Sequence, residues 1–342
     1  MYSFQNDYAE GGHPQILKAL LDSNLVQQSG YGADEYSMEA KELLRKKLNH
    51  PGAEIYFVSG GTQANLLVIS SLLRGHEAVI SASTGHIYTH ETGAIEATGH
   101  RVISVDSADG KLRPLDLETV LQAHTLRPHV VKPRMVYISN SSELGSVYNY
   151  AELKALYDFC RAHGLYLYMD GARLGQALTA VAGDLSFSQL SELVDVFYIG
   201  GTKNGALLGE AIVMNNTTLA PEFDYALKQK GALLSKGRVL GVQFLELFRD
   251  NLYFELAKHA NQMALKMAGA IAADGFSFLT EPVSNQIFPI LSNKLIARLR
   301  GKYLFYDWKV IDADHTAIRL ITSWATEESV IDQFIADLKS GD

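Results

Sequence analysis

A lysine set among glycines, Ile199-Gly200-Gly201-Thr202-Lys203-Asn204-Gly205, follows a short apolar run. A lysine so placed is partly withdrawn from water, which lowers its pKa and favours the nucleophilic amine that forms Schiff bases. A solvated surface lysine is the plainer alternative. Upstream, Tyr168-Met169-Asp170-Gly171-Ala172-Arg173 puts a carboxylate and then a glycine at the end of another apolar run. That carboxylate suits a metal ligand, a general base, a partner for a protonated ring nitrogen, or a simple helix cap. Earlier still lies Ser59-Gly60-Gly61-Thr62-Gln63-Ala64-Asn65. Its glycines admit close backbone approach, and free amides at a helix start attract phosphate. A tight turn would read the same way. The stretch is neither a Walker A loop nor a G-x-G-x-x-G fingerprint. The spacing His86-x-x-x-His90-Glu91 sets two imidazoles on one helix face, but it is not His-Glu-x-x-His and no third ligand is evident. No metal site is expected.

Each of the three loops follows a run that reads as a strand. Ile55–Val58, Ala78–Ile80, Arg101–Val105, Met135–Ile138, Leu165–Met169, Val196–Ile199 and Ala211–Met214 are β-rich. Several are apolar throughout, as strands buried on both faces of a mostly parallel sheet must be. Helical patterns lie between them; in Ala151 to His163, Leu153, Leu156, Tyr157 and Cys160 share a face. The alternation predicts an α/β architecture, whose ligand sites lie at the carboxyl ends of the strands. From about residue 236 the pattern changes. A long helical stretch, Gln243 to Ala273, precedes strand-like pieces at Phe276–Leu279, Gln286–Leu291, Tyr303–Val310 and Ala317–Thr322. A closing helix is expected with Thr326 as N-cap and Val330, Ile331, Phe334, Ile335 and Leu338 as its apolar stripe. The predicted division is an arm (1–13), a large α/β domain (14–246) and a smaller α+β domain (247–342).

The chain has 342 residues and a net charge of −8, which argues against nucleic acid or an anionic membrane surface as the main partner. Hydrophobic residues make up 47 % and charged ones 20 %, ordinary globular usage and too apolar for disorder. Cys160 is the only cysteine, so no internal disulfide and no cysteine-rich metal site can form. The first residues lack the basic and apolar regions of a signal peptide, and the apolar runs are too short for a bilayer. A soluble cytoplasmic enzyme is expected.

A phosphate cradle, an aspartate and a lysine, in that chain order on an α/β sheet, meet the needs of pyridoxal 5′-phosphate (PLP): an anchored phosphate, a paired pyridinium nitrogen and a held aldehyde. Here the chain resembles the L-threonine aldolase branch of the β-eliminating lyase family, within the aspartate-aminotransferase-like (fold type I) PLP enzymes. The resemblance runs from Asn6-Asp7 to Arg319 and rests on GGTQAN, DGARL and GGTKNG together. It implies a fold type I large domain with a mostly parallel sheet and a smaller C-terminal domain. Lys203 resembles the Schiff-base lysine, Asp170 the pyridinium partner, Arg173 the arginine near the cofactor's phenolic oxygen, and Gly61 and Thr62 the phosphate cradle. His86, in Thr84-Gly85-His86-Ile87, matches the histidine that stacks on the ring and helps move protons; the base itself is His86 or a water it holds. Arg319 matches the arginine that grips the substrate carboxylate, and Asn6, Tyr31 and Arg173 are implied near the substrate. Lys236, in Ser235-Lys236-Gly237-Arg238, stands where a neighbouring subunit offers a basic residue to the phosphate. A homodimer or homotetramer with sites at subunit interfaces is implied.

The implied reaction is retro-aldol cleavage of a β-hydroxy-α-amino acid, L-threonine or L-allo-threonine, to glycine and an aldehyde. β-Elimination or transamination of another amino acid is the alternative within the fold, and a catalytically silent binding protein the one outside catalysis. One departure stands out. The family's best-known members carry a histidine near residue 140, associated with the substrate β-hydroxyl, whereas this chain reads Ser139-Asn140-Ser141-Ser142-Glu143-Leu144-Gly145. Asn140 and Glu143 stand where that role falls. Looser hydroxyl contacts, and cleavage of both diastereomers, are expected, with Ser142 as the place where a histidine would alter the preference.

Overall fold

The computed structural model describes residues 1–219 and 221–339. Its strands, in chain order, begin with β1 (Tyr2–Ser3), β2 (Glu54–Val58), β3 (Glu77–Ala82) and β4 (Arg101–Val105). They continue with β5 (Lys132–Ser139), β6 (Tyr166–Asp170), β7 (Val196–Gly200) and β8 (Glu210–Met214). A 7-stranded sheet takes the order β2-β8-β7-β6-β5-β3-β4. β4, β3, β5, β6 and β7 are mutually parallel, and β8 runs against both β7 and β2. Successive residues of a strand face opposite ways, and the two faces carry two cores. Ile80, Val136, Ile138 and Leu167 pack with Leu153, Leu156 and Cys160 of the helix Tyr150–His163. Val79, Met135, Tyr137 and Tyr168 pack with Leu67 and Val68 of the helix Gly61–Leu72. Burial on both sides accounts for the unbroken apolar runs of β3, β7 and β8.

The C-terminal part carries a second sheet in which β10 (Ile290–Ser292) and β12 (Tyr306–Val310) flank β13 (His315–Ile321), with β9 (Gln286–Ile287) also on β13. Several expectations change here. Phe276–Leu279 is no strand and makes only a bridge from Phe278 to Pro289. The stretch 286–291 splits around Phe288-Pro289, where proline has no amide to donate. Tyr303–Val310 divides at Phe305, leaving β11 (Tyr303–Leu304) to pair with β1. The long helical stretch breaks into Arg238–Arg249 and Leu252–Ala273 around Asn251, whose φ is 64°. The closing helix begins at Glu328, and Thr326 instead accepts the Ser323 amide. Its buried stripe is Ile331, Phe334 and Leu338, as the periodicity predicts.

Leu252–Ala273 joins the cores: Leu252, Tyr253 and Leu256 pack below the large sheet, while Met263, Met267 and Ile271 pack with the small one. The amino-terminal arm is equally committed. Phe4 is wholly buried among Ile318, Phe334 and Tyr303, and its carbonyl accepts the Ile321 amide. This anchorage aims the next residues at the carboxyl edge of the large sheet.

Candidate active site

The loops after β2, β3, β5, β6 and β7 meet at that edge around a cavity of about 310 Å³. Gly60, Gly61, Thr62, His86, Asp170, Arg173 and Lys203 line it, joined by Tyr8, Ser139, Ser141, Glu143, Tyr198 and Glu210.

Asp170 ends β6 with its side chain 4 % exposed. The chain turns beside it because Gly171 has no Cβ; one added there would lie 1.9 Å from the Tyr198 carbonyl oxygen. Tyr137 and Tyr198 donate their hydroxyls to its carboxylate at 2.6 and 2.5 Å, Asn65 donates its amide at 3.2 Å, and the Ala172 N–H donates at 3.0 Å. Burial alone would push this carboxyl up. The charge of His86 and the tyrosine hydroxyls prevail and hold it below the usual carboxylate range.

Lys203 follows β7 and is half-buried. Burial and the neighbouring Arg173 hold its amine below the usual lysine range, against the pull of Asp7, Asp170 and Glu210. Glu210, at the start of β8, accepts the Gly201 N–H at 2.8 Å, and burial pushes its carboxyl up to about 7.

His86 opens the single turn His86–Thr89, and its Nδ1 lies 2.8 Å from Glu91 Oε1. Asn65 donates to the same oxygen at 2.7 Å, so one amide group bridges the Glu91 and Asp170 carboxylates. Burial alone would lower the imidazole's pKa, but Glu91 and Asp170 keep it above the ordinary value. Glu91 therefore faces His86, and the structure gathers no trio of metal-ligating side chains among the described residues.

Arg173 forms a two-pronged pair with Asp7, Nε at 2.7 Å and a terminal nitrogen at 3.0 Å, and Asn285 donates to Asp7 at 2.9 Å. The arm thus delivers Asp7 to Arg173 from behind the lining; neither Asp7 nor Asn6, which accepts the Tyr8 amide, lines the cavity itself. Arg319, on β13, lies against Tyr306 and Trp308 and donates to the Gln5 carbonyl at 3.3 Å. Its buried Nε has no partner. It stands behind the lining, within electrostatic reach of Arg173 and Asp7.

Two of the expected residues lie elsewhere in the chain's own fold. Tyr31 is half exposed beneath Lys228, in a separate small hollow. Lys236 is exposed outside the cavity, and Arg238 is spent on the Ser23 and Val26 carbonyls. In the loop after β5, Asn140 accepts the Tyr148 amide, and Ser142 turns its hydroxyl to Ser146 and the Asp109 carbonyl. Neither lines the cavity, so the place expected for a histidine at Ser142 faces away.

The residues fit PLP on their own chemistry. The helix Gly61–Leu72 presents its first amides at the cavity, and a Cβ on Gly61 would meet the Tyr198 hydroxyl at 2.8 Å. That is an anion cradle kept open by glycine. Across the cavity stand an ionised, fully hydrogen-bonded aspartate and an amine of lowered pKa, the pair that a pyridinium ring with an aldehyde requires. Sheet, edge site and donor set together define a fold type I PLP enzyme.

The chain belongs to the β-eliminating lyase family, whose model matches residues 7–293. A low specificity L-threonine aldolase of Pseudomonas sp. (strain NCIMB 10558) is 34 % identical over 98 % of this chain and 97 % of that protein. The solved structure of Leishmania major threonine aldolase superposes with a TM-score of 0.97 at 45 % identity, covering 99 % of each chain. Serine palmitoyltransferase from S. paucimobilis, solved with a bound PLP–myriocin adduct, shares the fold with a TM-score of 0.70 at 17 % identity, over 98 % of this chain and 86 % of that one. The protein is a PLP-dependent lyase, and among its described residues no helix is long and apolar enough to cross a membrane.

Proposed function

We propose that this enzyme cleaves β-hydroxy-α-amino acids, L-threonine and L-allo-threonine, to glycine and an aldehyde. The observation that carries the reading is the single cavity that gathers Lys203, Asp170, His86 and the Gly61 helix start in a chain matched end to end by threonine aldolases. When bound, PLP supplies an aldehyde that takes up the substrate amine and a protonated ring that draws electrons from Cα. Lys203 would hold the aldehyde, its amine kept below the usual lysine range by burial and the charge of Arg173. Asp170 would keep a proton on the ring nitrogen, its own oxygens held by Tyr137 and Tyr198. Gly61 and Thr62 would bind the phosphate. Arg319 would take the substrate carboxylate on its partnerless Nε. His86, steadied by Glu91, would cover the ring and pass a proton at its free nitrogen. Incubating the holoenzyme with L-threonine, L-allo-threonine, L-phenylserine and L-serine should release glycine with the matching aldehyde. Loss of a β-substituent without glycine would replace this reading with β-elimination.

We also propose a homo-oligomer, with Lys236 reaching the phosphate of a neighbouring copy. In support, Leu21 and Leu25 are 74 % and 92 % exposed, and exposed Lys236 lies two residues before Arg238, whose guanidinium holds the Ser23 and Val26 carbonyls of the same segment. Sedimentation should give a dimer or tetramer, and a fully active monomer would remove the proposal. A cytoplasmic place agrees with the lone, buried Cys160 and is checked by cell fractionation.

A further inference from the structure

β8 opens on a carboxylate where its surroundings call for an apolar residue. Glu210 lies between Gly200 and Val58 on the flanking strands and is followed by Ala211, Ile212, Val213 and Met214, all buried. It is itself 4 % exposed, and it is held by the Gly201 N–H at 2.8 Å and the Thr202 hydroxyl rather than by a cation. A buried carboxyl without a charged partner costs stability, so its place asks for a use. The backbone fixes it beside the lysine loop. The Gly201 and Thr202 amides donate to the Gly209 carbonyl at 3.0 and 3.2 Å, and the Gly209 N–H donates to the Thr202 hydroxyl oxygen at 3.0 Å. Gly209 takes a φ of 118° at this junction, and a Cβ on Gly201 would lie 2.7 Å from the Gly209 carbonyl oxygen. The loop that carries Lys203 and the strand that carries Glu210 are therefore laced together, and both side chains line the cavity.

Three carboxylates favour a positive charge on Lys203, and two of them are already committed. Asp7 is offset by its two-pronged pair with Arg173. Asp170 takes donors on both oxygens, from Tyr137, Tyr198, Asn65 and the Ala172 amide. Glu210 has no comparable set. The titratable groups facing it are Lys203 after β7, Asp170 and Tyr168 on β6, Tyr198 on β7 and Tyr253 on the helix Leu252–Ala273. Burial pushes all three tyrosine hydroxyls up and keeps them neutral, so among these groups Lys203 alone can carry positive charge. Around Lys203 itself, Arg173 and His86 oppose that charge. We propose that Glu210 is a positioning residue, the counter-charge that holds a proton on the Lys203 nitrogen. The inference rests on Lys203 holding the aldehyde, as in the reading above, but not on which substrate bond breaks. A carboxyl pushed up to about 7 can ionise or take a proton near neutral pH, and so can follow the lysine as its charge changes.

The test is a pH titration of the holoenzyme, read in the absorbance of the bound cofactor, which changes when the nitrogen joining it to Lys203 loses its proton. Glu210→Gln keeps the shape and removes the charge; its midpoint should lie below the wild type's by about 1 pH unit or more. Glu210→Asp restores the charge and should recover about half of that shift or more. Acetylation of Lys203 in the cofactor-free protein, mapped by peptide mass spectrometry, reads the same nitrogen without the cofactor. Its pH of half-maximal rate should also fall in Glu210→Gln. Equal midpoints for wild type and Glu210→Gln in either readout, or a shift that Glu210→Asp does not lessen, overturn the counter-charge. A lowered midpoint in a holoenzyme that releases no glycine and aldehyde from either threonine diastereomer upholds the counter-charge and sinks the aldolase reading.

Discussion

The two walls of the cavity are built on opposite terms. On the β6–β7 side, the Asp170 carboxylate takes hydrogen bonds from Tyr137, Tyr198, Asn65 and the Ala172 amide. On the side formed by the loop after β5, Ser141 Oγ is buried without a partner and Glu143 accepts through Oε1, and behind that lining the Arg319 Nε on β13 is likewise buried and unpaired. The first wall has dipoles fixed before anything binds, which suits a resident ring whose charge must not vary between turnovers. The second leaves its hydrogen-bonding capacity open, which suits a substrate that comes and goes. Completed networks mark what stays bound; incomplete ones mark what is exchanged.

Breaking the completed wall should have the largest effect. Asp170→Asn keeps the shape but cannot hold a ring proton by charge. Steady-state kinetics should show kcat lower by about 10²–10³ with the cofactor still bound. Near-normal turnover would reduce Asp170 to a turn residue.

The open wall should respond in binding instead. Arg319→Ala should raise KM for every amino-acid substrate by about 10–100-fold, because a carboxylate loses a charged donor. Its effect on kcat should be smaller. Equal losses in both constants would place Arg319 in the first wall's role.

Glu210 sharpens the comparison through pH. Its carboxyl is pushed up to about 7 by burial, from an ordinary 4.5. Between those values the folded chain keeps a proton that the unfolded chain releases. Stability therefore falls as pH rises from 4.5 to about 7 and stays reduced above. Glu210→Gln in the cofactor-free protein should match the wild-type Tm near pH 5 and exceed it at pH 8 by a few degrees at most. Parallel Tm curves across that range would mean that Glu210 carries no such burden.

The large sheet is legible in the amino-acid pattern. All seven of its strands fall within a few residues of a β-rich run; β3, β7 and β8 are the plainest, because burial on both faces keeps their runs largely apolar, whereas the edge strands β2 and β4 are only partly buried. The small sheet is less legible, since its strands are short and interrupted; β9 and β10 are parted by Pro289, which no periodicity announces. The chemistry divides in the same way. Lys203, Asp170, His86, Arg173, Gly61 and Thr62 each stand in a loop whose neighbours along the chain are unusual, and all of them line one cavity. Glu91 is visible beside His90 only as a candidate metal ligand. Tyr137, Tyr198, Asp7 and Glu210 carry no local signal, being single polar residues in or beside ordinary runs.

What the sequence determined by itself is therefore whatever short stretches of chain enforce: strand and helix pattern, the glycine turns, and the order of cradle, aspartate and lysine. What only the tertiary structure decided is which distant groups complete them. Asp7 meets Arg173 across 166 positions because Phe4 anchors the arm on the second sheet, and Tyr137 and Tyr198 reach Asp170 because β5 and β7 flank β6. Ser142 and Ser141 are chemically alike in the sequence, yet the alternation of one loop turns the first away from the cavity and the second into it. Such pairings depend on register and chain path, and a residue's local neighbours carry no record of either.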